Sequence, residues 1–197
     1  MEKEYWDNFY QKNDAPNEPS GFAKDSIAEF PSDSRILELG CGNGRDSLFF
    51  AQNGFKVFAC DQSDQSIAKL KSQHPLNPTF FVEDIINFGK KLHDINIIYC
   101  RFVLHAISED DLDKLLTWVY DFLPEEGLFI SESRSDKSSL EETGKHFKPH
   151  FRRLLNKNDI SDNLVDKGFL IKSLVEADNL ANYKDENPFV IRLVVKK

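Results

Sequence analysis

The chain has 197 residues, a formal net charge of −8 and an apolar share of 40%. This length suits one domain with a sizeable core, so a single domain over residues 1–197 is expected. The acidic balance opposes the phosphate backbone of DNA and RNA, which argues against a nucleic-acid partner. The apolar runs are far shorter than a membrane span and no secretory signal is legible, so a cytoplasmic protein without a membrane partner is expected.

The segment before the first predicted strand, residues 1–30, begins with aromatic side chains and then carries Pro16, Pro19 and Gly21. This order predicts a short helix joined by a turn to a second helical stretch. Two interpretations of its role stay open. The segment covers one edge of the sheet, or it is a helical lid over the crevice that open α/β sheets have beyond the carboxyl ends of their strands.

From Arg35 onward, short apolar runs alternate with longer runs of helical spacing, which is typical of βαβ units. The predicted strands are residues 35–39, 56–60, 79–82, 95–100, 127–133, 169–177 and 189–196, with a polar hairpin connection between the last two. The predicted helices are residues 45–52, 65–73, 109–123 and 159–167, with Ser63 and Ser108 as N-caps and Gly168 ending the last. The expected fold is α/β, a doubly wound, seven-stranded, mostly parallel sheet with an antiparallel end strand.

The first predicted strand runs directly into residues 40–44, which read Gly-Cys-Gly-Asn-Gly. Such glycines let the backbone turn tightly and approach a ligand. Asp61, about twenty residues further on, is positioned to accept both hydroxyls of a ribose. The spacing lacks the third glycine of the dinucleotide fingerprint, and Glu38 and Asp46 suit cationic groups better than a pyrophosphate. An adenosine-type ligand is predicted, with a nicotinamide dinucleotide as the alternative.

Residues 38–44 resemble motif I of the class I S-adenosylmethionine-dependent methyltransferases. Asp61 is similar to the ribose-binding acid of that family, and Asp84 to its acid beside the adenine amino group. The resemblance covers almost the whole chain and implies a Rossmann-like fold, S-adenosyl-L-methionine as cofactor and a cofactor-binding core at residues 35–133. The cofactor-binding candidates are Glu38, Gly40, Gly42, Asp46, Asp61, Gln62, Asp84, Ile85 and Trp6.

In that family the loop after the fourth strand faces the methyl group, which makes His105 and Arg101 the catalytic candidates here. Two roles stay open for His105: a general base, because its ordinary pKa is near neutrality, or a packing and capping residue. Arg101 is a candidate for binding the cofactor carboxylate or the substrate. The loop lacks the Asn-Pro-Pro-Tyr type of signature found in enzymes that methylate nucleobases.

Residues 134–197 are expected to hold a substrate loop and the C-terminal strands. The loop is rich in cationic side chains in an otherwise acidic chain, and arginine forks suit phosphate and carboxylate groups. A small anionic acceptor is therefore predicted, with a solvated basic loop as the alternative. The substrate-binding candidates are Arg134, His150, Arg152, Arg153 and Tyr10. Pro149 lies between His146 and His150 and opposes a regular helix, so no metal site is predicted.

Residues 5–23, 132–134 and 151–153 are similar to a bacterial methyltransferase subgroup found among surface-polysaccharide genes. That resemblance implies O-methylation of a phosphate- or phosphoramidate-bearing metabolite in capsule biosynthesis, with His105 orienting groups instead of removing a proton. The alternatives are another small-molecule methyltransferase, acting on a carboxylate, thiol or amine, and a noncatalytic adenosylmethionine-binding protein. A monomer or a homodimer is expected.

Overall fold

The structure is a computed structural model that describes residues 6–7, 16–89, 91–138 and 153–197. The chain divides into two compact units, residues 2–99 and residues 100–197. The predicted contacts of Tyr10, His150 and Arg152 lie outside the described residues. Among the described helices, none has the length and apolar character needed to cross a membrane.

The first unit contains three strands that pair in parallel. Its strands are β1 (Arg35–Leu39), β2 (Lys56–Asp61) and β3 (Thr79–Val82), and its helices are α1 (Gly21–Ser26), α2 (Arg45–Gln52) and α3 (Asp64–Gln73). In the register, Arg35 lies opposite Lys56, and Phe58 lies opposite Thr79. Four consecutive residues of β1 are buried, as expected for a parallel strand covered on both faces.

The second unit is built around an antiparallel pairing. After β4 (Ile97–Arg101), which begins in the first unit, come α4 (Glu109–Phe122), β5 (Leu128–Arg134), α5 (Lys157–Asp166), β6 (Leu170–Ala177) and β7 (Val190–Lys196). Strand β7 is antiparallel to both β5 and β6. All seven residues of β5 are buried, including its charged ones, so those charges require partners.

The seven strands form one mixed sheet in the order β3-β2-β1-β4-β5-β7-β6. The predicted α/β fold with an antiparallel end is confirmed, and that end is the pair β7 and β6. Strand β4 begins two residues later than predicted. Asn96 instead binds the start of β1, because its side-chain oxygen accepts a hydrogen bond from the Arg35 amide at 2.8 Å.

The two predicted N-caps are confirmed, whereas α5 begins two residues earlier than predicted, with Asn156 as its N-cap. The hydroxyl of Ser63 accepts a hydrogen bond from the Ser66 amide, and that of Ser108 accepts one from the Asp111 amide. Gly168 follows α5 with φ +99°, and a Cβ there would lie 2.8 Å from the Tyr120 hydroxyl. Both the turn and the packing therefore favour glycine at this position.

Candidate functional site

The glycine-rich turn closes the carboxyl end of β1. Gly40 and Gly42 have φ values of +73° and +55°, in the region that favours glycine. The amides of Gly40 and Cys41 both donate to the Cys60 carbonyl at 2.9 Å. The turn therefore folds back onto the end of β2, and the ends of the two strands form one surface.

Asp61, the last residue of β2, is fixed on that surface. One carboxylate oxygen accepts a hydrogen bond from the Gly42 amide and the other accepts one from the Ser63 amide, both at 2.9 Å. Burial raises the pKa of Asp61, and the backbone hydrogen bonds act against that rise. Each carboxylate oxygen is able to accept a further hydrogen bond, so the group is able to accept hydrogen bonds from both hydroxyls of a ribose.

Glu38 belongs to a buried acidic group with Asp46 and Asp61. Its carboxylate accepts a hydrogen bond from the Ser47 hydroxyl. Burial raises the pKa of Glu38 well above its ordinary value, the negative charges of Asp46 and Asp61 raise it further, and Arg45 and the Ser47 hydroxyl oppose the rise. These buried carboxylates lack enough positive charge nearby to offset their mutual repulsion, so they favour a cationic ligand.

Asp46, at the start of α2, accepts hydrogen bonds from other residues of the protein. Its carboxylate accepts hydrogen bonds from the amide and the hydroxyl of Ser20, both at 2.7 Å, and from the Tyr99 hydroxyl at 2.9 Å. Ser20 is also the N-cap of α1. The described hydrogen bonds of Asp46 therefore connect α2 to the start of α1 and to β4. The binding of the cofactor by Asp46 stays a prediction.

The N-terminal segment touches the same surface. Trp6 and Asp7 are helical and half-buried. The Ser63 hydroxyl donates to the Asp7 carboxylate at 2.5 Å, and the side-chain amide of Asn43 donates to the Pro16 carbonyl at 2.8 Å. These contacts lie at the glycine-rich turn and the end of β2, and the lid and sheet-edge interpretations both stay predictions.

The predicted adenine side of the site contains an unpartnered donor. The side-chain nitrogen of Gln62 is buried and has no hydrogen-bond partner among the described residues. Ile85 is buried, whereas Asp84 is exposed and accepts hydrogen bonds from the Ile86 amide and the Asn87 side chain. The Gln62 donor without a described partner, the Asp61 carboxylate and the positive-φ glycine turn fit an adenosine-type cofactor.

In the second unit, Glu132 lies between two arginines. Its carboxylate accepts hydrogen bonds from Nε of Arg101 at 2.8 Å and from Nε of Arg192 at 2.7 Å, and its side chain is fully buried. Arg192 is directly opposite Glu132 in the β5–β7 register. One carboxylate thus orients two cationic side chains on one face of the sheet.

Phe102 follows β4 in a left-handed conformation, with φ +59°. Its amide donates to the Glu132 carbonyl at 2.8 Å, which holds the turn in place. The Cζ atoms of Arg101 and Arg134 lie 4.1 Å and 5.4 Å from the centre of its ring. The strained turn therefore places an aromatic face beside two arginines.

His105 is buried beneath this cluster. Its Nδ1 accepts a hydrogen bond from the Arg134 amide at 3.2 Å, and its carbonyl accepts one from the Arg153 amide at 2.8 Å. An imidazolium would have no acceptor at Nδ1, so this arrangement needs the neutral ring with its proton on Nε2. His105 therefore links two predicted substrate-binding arginines.

Arg134 and Glu186 form a buried ion pair, with Nη2 and Oε2 2.8 Å apart. The pKa of Arg134 is lowered by burial, and Glu186 acts against that effect. Arg134 Nη1 and Glu186 Oε1 are buried and have no hydrogen-bond partner among the described residues. The Nε and Nη2 atoms of Arg153 are also buried without a described hydrogen-bond partner. The cluster therefore has three guanidinium nitrogens and one carboxylate oxygen that are able to bind a ligand.

Comparison with known proteins finds similarity to methyltransferases. Residues 36–127 match the family model described as a methyltransferase domain. A Geobacillus sp. (strain WCH70) protein named as a methyltransferase is 26% identical over 140 residues, which make up 66% of this chain and 56% of that protein. Phosphoethanolamine N-methyltransferase 1 of Zea mays is 30% identical over 123 residues, which make up 59% of this chain and 24% of that enzyme.

A solved structure has the same fold along almost the full chain. The TehB-like SAM-dependent methyltransferase of Corynebacterium glutamicum superposes with a TM-score of 0.74 at 18% identity and covers 98% of both chains. Over residues 36–127 this chain is therefore similar to a methyltransferase domain, and the superposition shows the same fold. The chain spans about half the length of the Geobacillus relative and a quarter of that of the maize enzyme.

The described cofactor candidates all belong to the first unit, and the described catalytic and substrate candidates belong to the second. Sequence reasoning missed Ser20 and Tyr99, the partners of Asp46. It also missed Glu186 and Arg192. A signal existed for Arg192, because it interrupts the otherwise apolar strand β7 and such a charge needs a buried partner.

Proposed function

We propose that this domain binds S-adenosyl-L-methionine in the first unit and methylates a small anionic acceptor held by arginines of the second unit. The observation that carries the acceptor class is the set of buried guanidinium nitrogens on Arg134 and Arg153 that have no partner among the described residues. S-adenosyl-L-methionine, when bound, supplies a methyl group on a positively charged sulfur that is open to in-line displacement.

In the proposed cofactor site, different residues bind the ribose, the adenine ring and the methionine part. Asp61 accepts hydrogen bonds from the ribose hydroxyls, and Gln62 and Ile85 flank the adenine ring. Gly40 and Gly42 leave space for the methionine part. Glu38, in its buried acidic group, favours the positive charges of the ligand.

For the acceptor, the local charge around Glu132 and Glu186 supports an anion. These two carboxylates pair with three arginines, which are Arg101, Arg134 and Arg192. Arg153 adds a fourth guanidinium, with two buried nitrogens that have no described partner. Glu132 orients two of them and Glu186 orients a third. Arginines that are held in this way bind an anionic group without losing much conformational freedom.

His105 is a positioning residue in this proposal. Its ring accepts from the Arg134 amide and its carbonyl accepts from the Arg153 amide, so it sets the spacing of two binding residues. The Nδ1 lone pair is already engaged and is not available as a base. This arrangement suits an acceptor oxygen that is negatively charged before the reaction and has no proton to lose.

The narrower proposal is O-methylation of a phosphate- or phosphoramidate-bearing metabolite in capsule or surface-polysaccharide biosynthesis. It is supported by the resemblance to the surface-polysaccharide subgroup, by the arginines, and by the engaged ring of His105. The name of the maize relative also gives a small phosphate-bearing acceptor for that enzyme. A carboxylate, thiol or amine acceptor, or a noncatalytic binding role, are the competing functions.

The test is turnover of S-adenosyl-L-methionine to S-adenosylhomocysteine with matched acceptors. An alkyl phosphate, the corresponding alkyl phosphoramidate, the carboxylate and the neutral alcohol are compared at equal concentration. We expect methylation of the phosphorus-bearing acceptors and none of the neutral alcohol. Methylation of the alcohol at an equal rate would contradict the anionic acceptor. Tight cofactor binding without turnover of any acceptor would favour the noncatalytic role.

A further inference from the structure

The Arg134–Glu186 pair is incomplete as an ion pair. A guanidinium and a carboxylate that pair with each other frequently form two parallel hydrogen bonds. Here a single contact is formed, between Nη2 and Oε2 at 2.8 Å. The second terminal nitrogen of Arg134 and the second oxygen of Glu186 are buried without a described partner, although the side chains are only 6% and 1% exposed.

Leaving these two atoms unpaired is costly in a closed interior. A buried charged group that lacks a hydrogen bond loses its hydration without compensation. Each atom is two covalent bonds from the contact that joins the pair, so both atoms belong to groups that meet at that contact. The two atoms differ in polarity, because Arg134 Nη1 is a cationic donor and Glu186 Oε1 is an anionic acceptor.

We propose that Arg134 and Glu186 together recognise an acceptor group in which a negatively charged oxygen stands beside a hydrogen-bond donor. The inference rests on the proposed function and narrows its substrate class. Arg134 Nη1 donates to the anionic oxygen, and Glu186 Oε1 accepts from a neighbouring amino or hydroxyl group. Glu186 is thus a specificity-determining residue, because it repels a group that presents only anionic oxygens or only apolar atoms.

Neighbouring residues support this arrangement. The Phe102 ring lies 5.4 Å from Cζ of Arg134 and restricts the guanidinium. The backbone of Arg134 is held by His105 Nδ1. The backbone of Glu186 is held in its hairpin by two hydrogen bonds with Tyr183, of 2.9 Å and 3.0 Å. The backbone hydrogen bonds of Arg134 and Glu186 therefore restrict where their side chains lie, as a recognition site requires.

The test uses two probe anions that differ only in the donor. Sulfamate and methanesulfonate are tetrahedral, singly charged and nearly equal in size, and an amino group in the first replaces a methyl group in the second. The full chain is saturated with S-adenosylhomocysteine and titrated with each anion, with NMR chemical shifts as the readout. We expect sulfamate to bind at least tenfold more tightly than methanesulfonate, because a polar site discriminates strongly against a ligand that leaves its acceptor unpaired.

Variants assign the preference to the pair. Glu186→Gln turns an amide donor toward the ligand and is expected to bring the two affinities within about threefold. Glu186→Asp is the second variant; it keeps the charge, shortens the reach and is expected to reduce the preference. Arg134→Lys is expected to weaken both anions about equally. Glu126→Gln is the matched control, because Glu126 pairs with Lys196 at 2.8 Å on the surface of the same unit.

The outcomes separate this inference from the proposed function. Affinity for S-adenosylhomocysteine reports on the fold of each variant. Equal binding of the two anions to the wild-type protein, or a preference that survives both Glu186 variants, would overturn the inference. Binding of neither anion would overturn it as well. A sulfamate preference without methylation of any acceptor would support the inference and refute the proposed catalysis.

Discussion

The backbone amide of Gly42 donates a 2.9 Å hydrogen bond to the carboxylate of Asp61. This bond joins the glycine-rich turn after β1 to the end of β2. Because the same carboxylate is the predicted ribose acceptor, the shape of the turn and the recognition of the cofactor depend on one side chain.

Replacing Asp61 tests that dependence. Asp61→Ala removes the acceptor for two backbone amides and for the ribose. We expect the affinity for S-adenosylhomocysteine to fall by about 10- to 100-fold, from hydrogen bonds to a charged group worth roughly 1.5–3 kcal/mol. Calorimetric titration measures this. Asp64→Ala, an exposed aspartate three residues later, is the control, and unchanged affinity in Asp61→Ala would contradict the ribose assignment.

Glu38 predicts a pH dependence of cofactor binding. Its pKa is raised by burial and then by the charge of Asp46, so between the ordinary and the raised pKa the folded chain binds a proton there that the unfolded chain has lost. The stabilisation from this group is complete below the ordinary pKa and disappears as the pH rises through the raised value. A cationic ligand favours the ionised form, so binding of S-adenosyl-L-methionine should tighten over the same rise in pH.

The same linkage predicts that binding releases a proton below the raised pKa of Glu38. Calorimetry in two buffers of different ionisation enthalpy measures the release. S-adenosylhomocysteine, which lacks the sulfonium charge, should release less. Glu38→Gln should abolish the difference between the two ligands, and an equal release by both ligands in the wild-type protein would contradict the prediction.

The role of His105 is tested by His105→Asn. The asparagine side-chain oxygen is able to accept from the Arg134 amide in place of Nδ1. If His105 positions residues, kcat should fall by less than about tenfold, and the pH profile of kcat/KM should keep its shape. General-base catalysis contributes roughly 100- to 10,000-fold. A loss of that size, together with the loss of an ionisation near neutral pH, would assign His105 as the base.

Arg153 is expected to act on the acceptor alone. Arg153→Gln removes two buried donors that have no described partner, so the KM for an anionic acceptor should rise about tenfold while cofactor affinity stays the same. Lys172→Gln removes an equal charge from the exposed side of β6 and controls for net charge. A parallel loss of cofactor and acceptor binding in Arg153→Gln would point to a folding defect instead.

Ser20 predicts a stability effect. Ser20→Ala removes the N-cap of α1 and a buried hydrogen bond to Asp46, and we expect the free energy of unfolding to fall by about 2 kcal/mol. Urea unfolding measures this change. Ser72→Ala, at an exposed position within α3, should change stability by less than about 0.5 kcal/mol. Equal stability of the two variants would show that the Ser20–Asp46 contact contributes little.

The sequence predicted the elements of the fold better than their contacts. Strands β1 and β3 and helix α2 have their predicted bounds because hydrophobic periodicity and the glycine-rich turn are local signals. Asp46 was assigned to the cofactor from its position after that turn. Its described partners, Ser20 and Tyr99, are 26 and 53 residues away, and one sequence gives no means of pairing residues at such distances.

The acceptor side shows the same limit. The hairpin between β6 and β7 was predicted from its polar residues, and they gave no indication that Glu186 turns inward to meet Arg134, 52 residues earlier. Arg134 and Arg153 were identified by the local density of positive charge. The sequence does not show which of their nitrogens have hydrogen-bond partners and which do not. That difference depends on the register of β5 with β7 and on the position of His105, which only the folded chain defines.

Cofactor binding is tested most directly by calorimetric titration of the purified protein with S-adenosyl-L-methionine, S-adenosylhomocysteine and NAD. We expect micromolar binding of the first two and no binding of NAD. Binding of NAD without the other two would contradict this expectation, because the glycine-rich turn and Asp61 would then serve a dinucleotide.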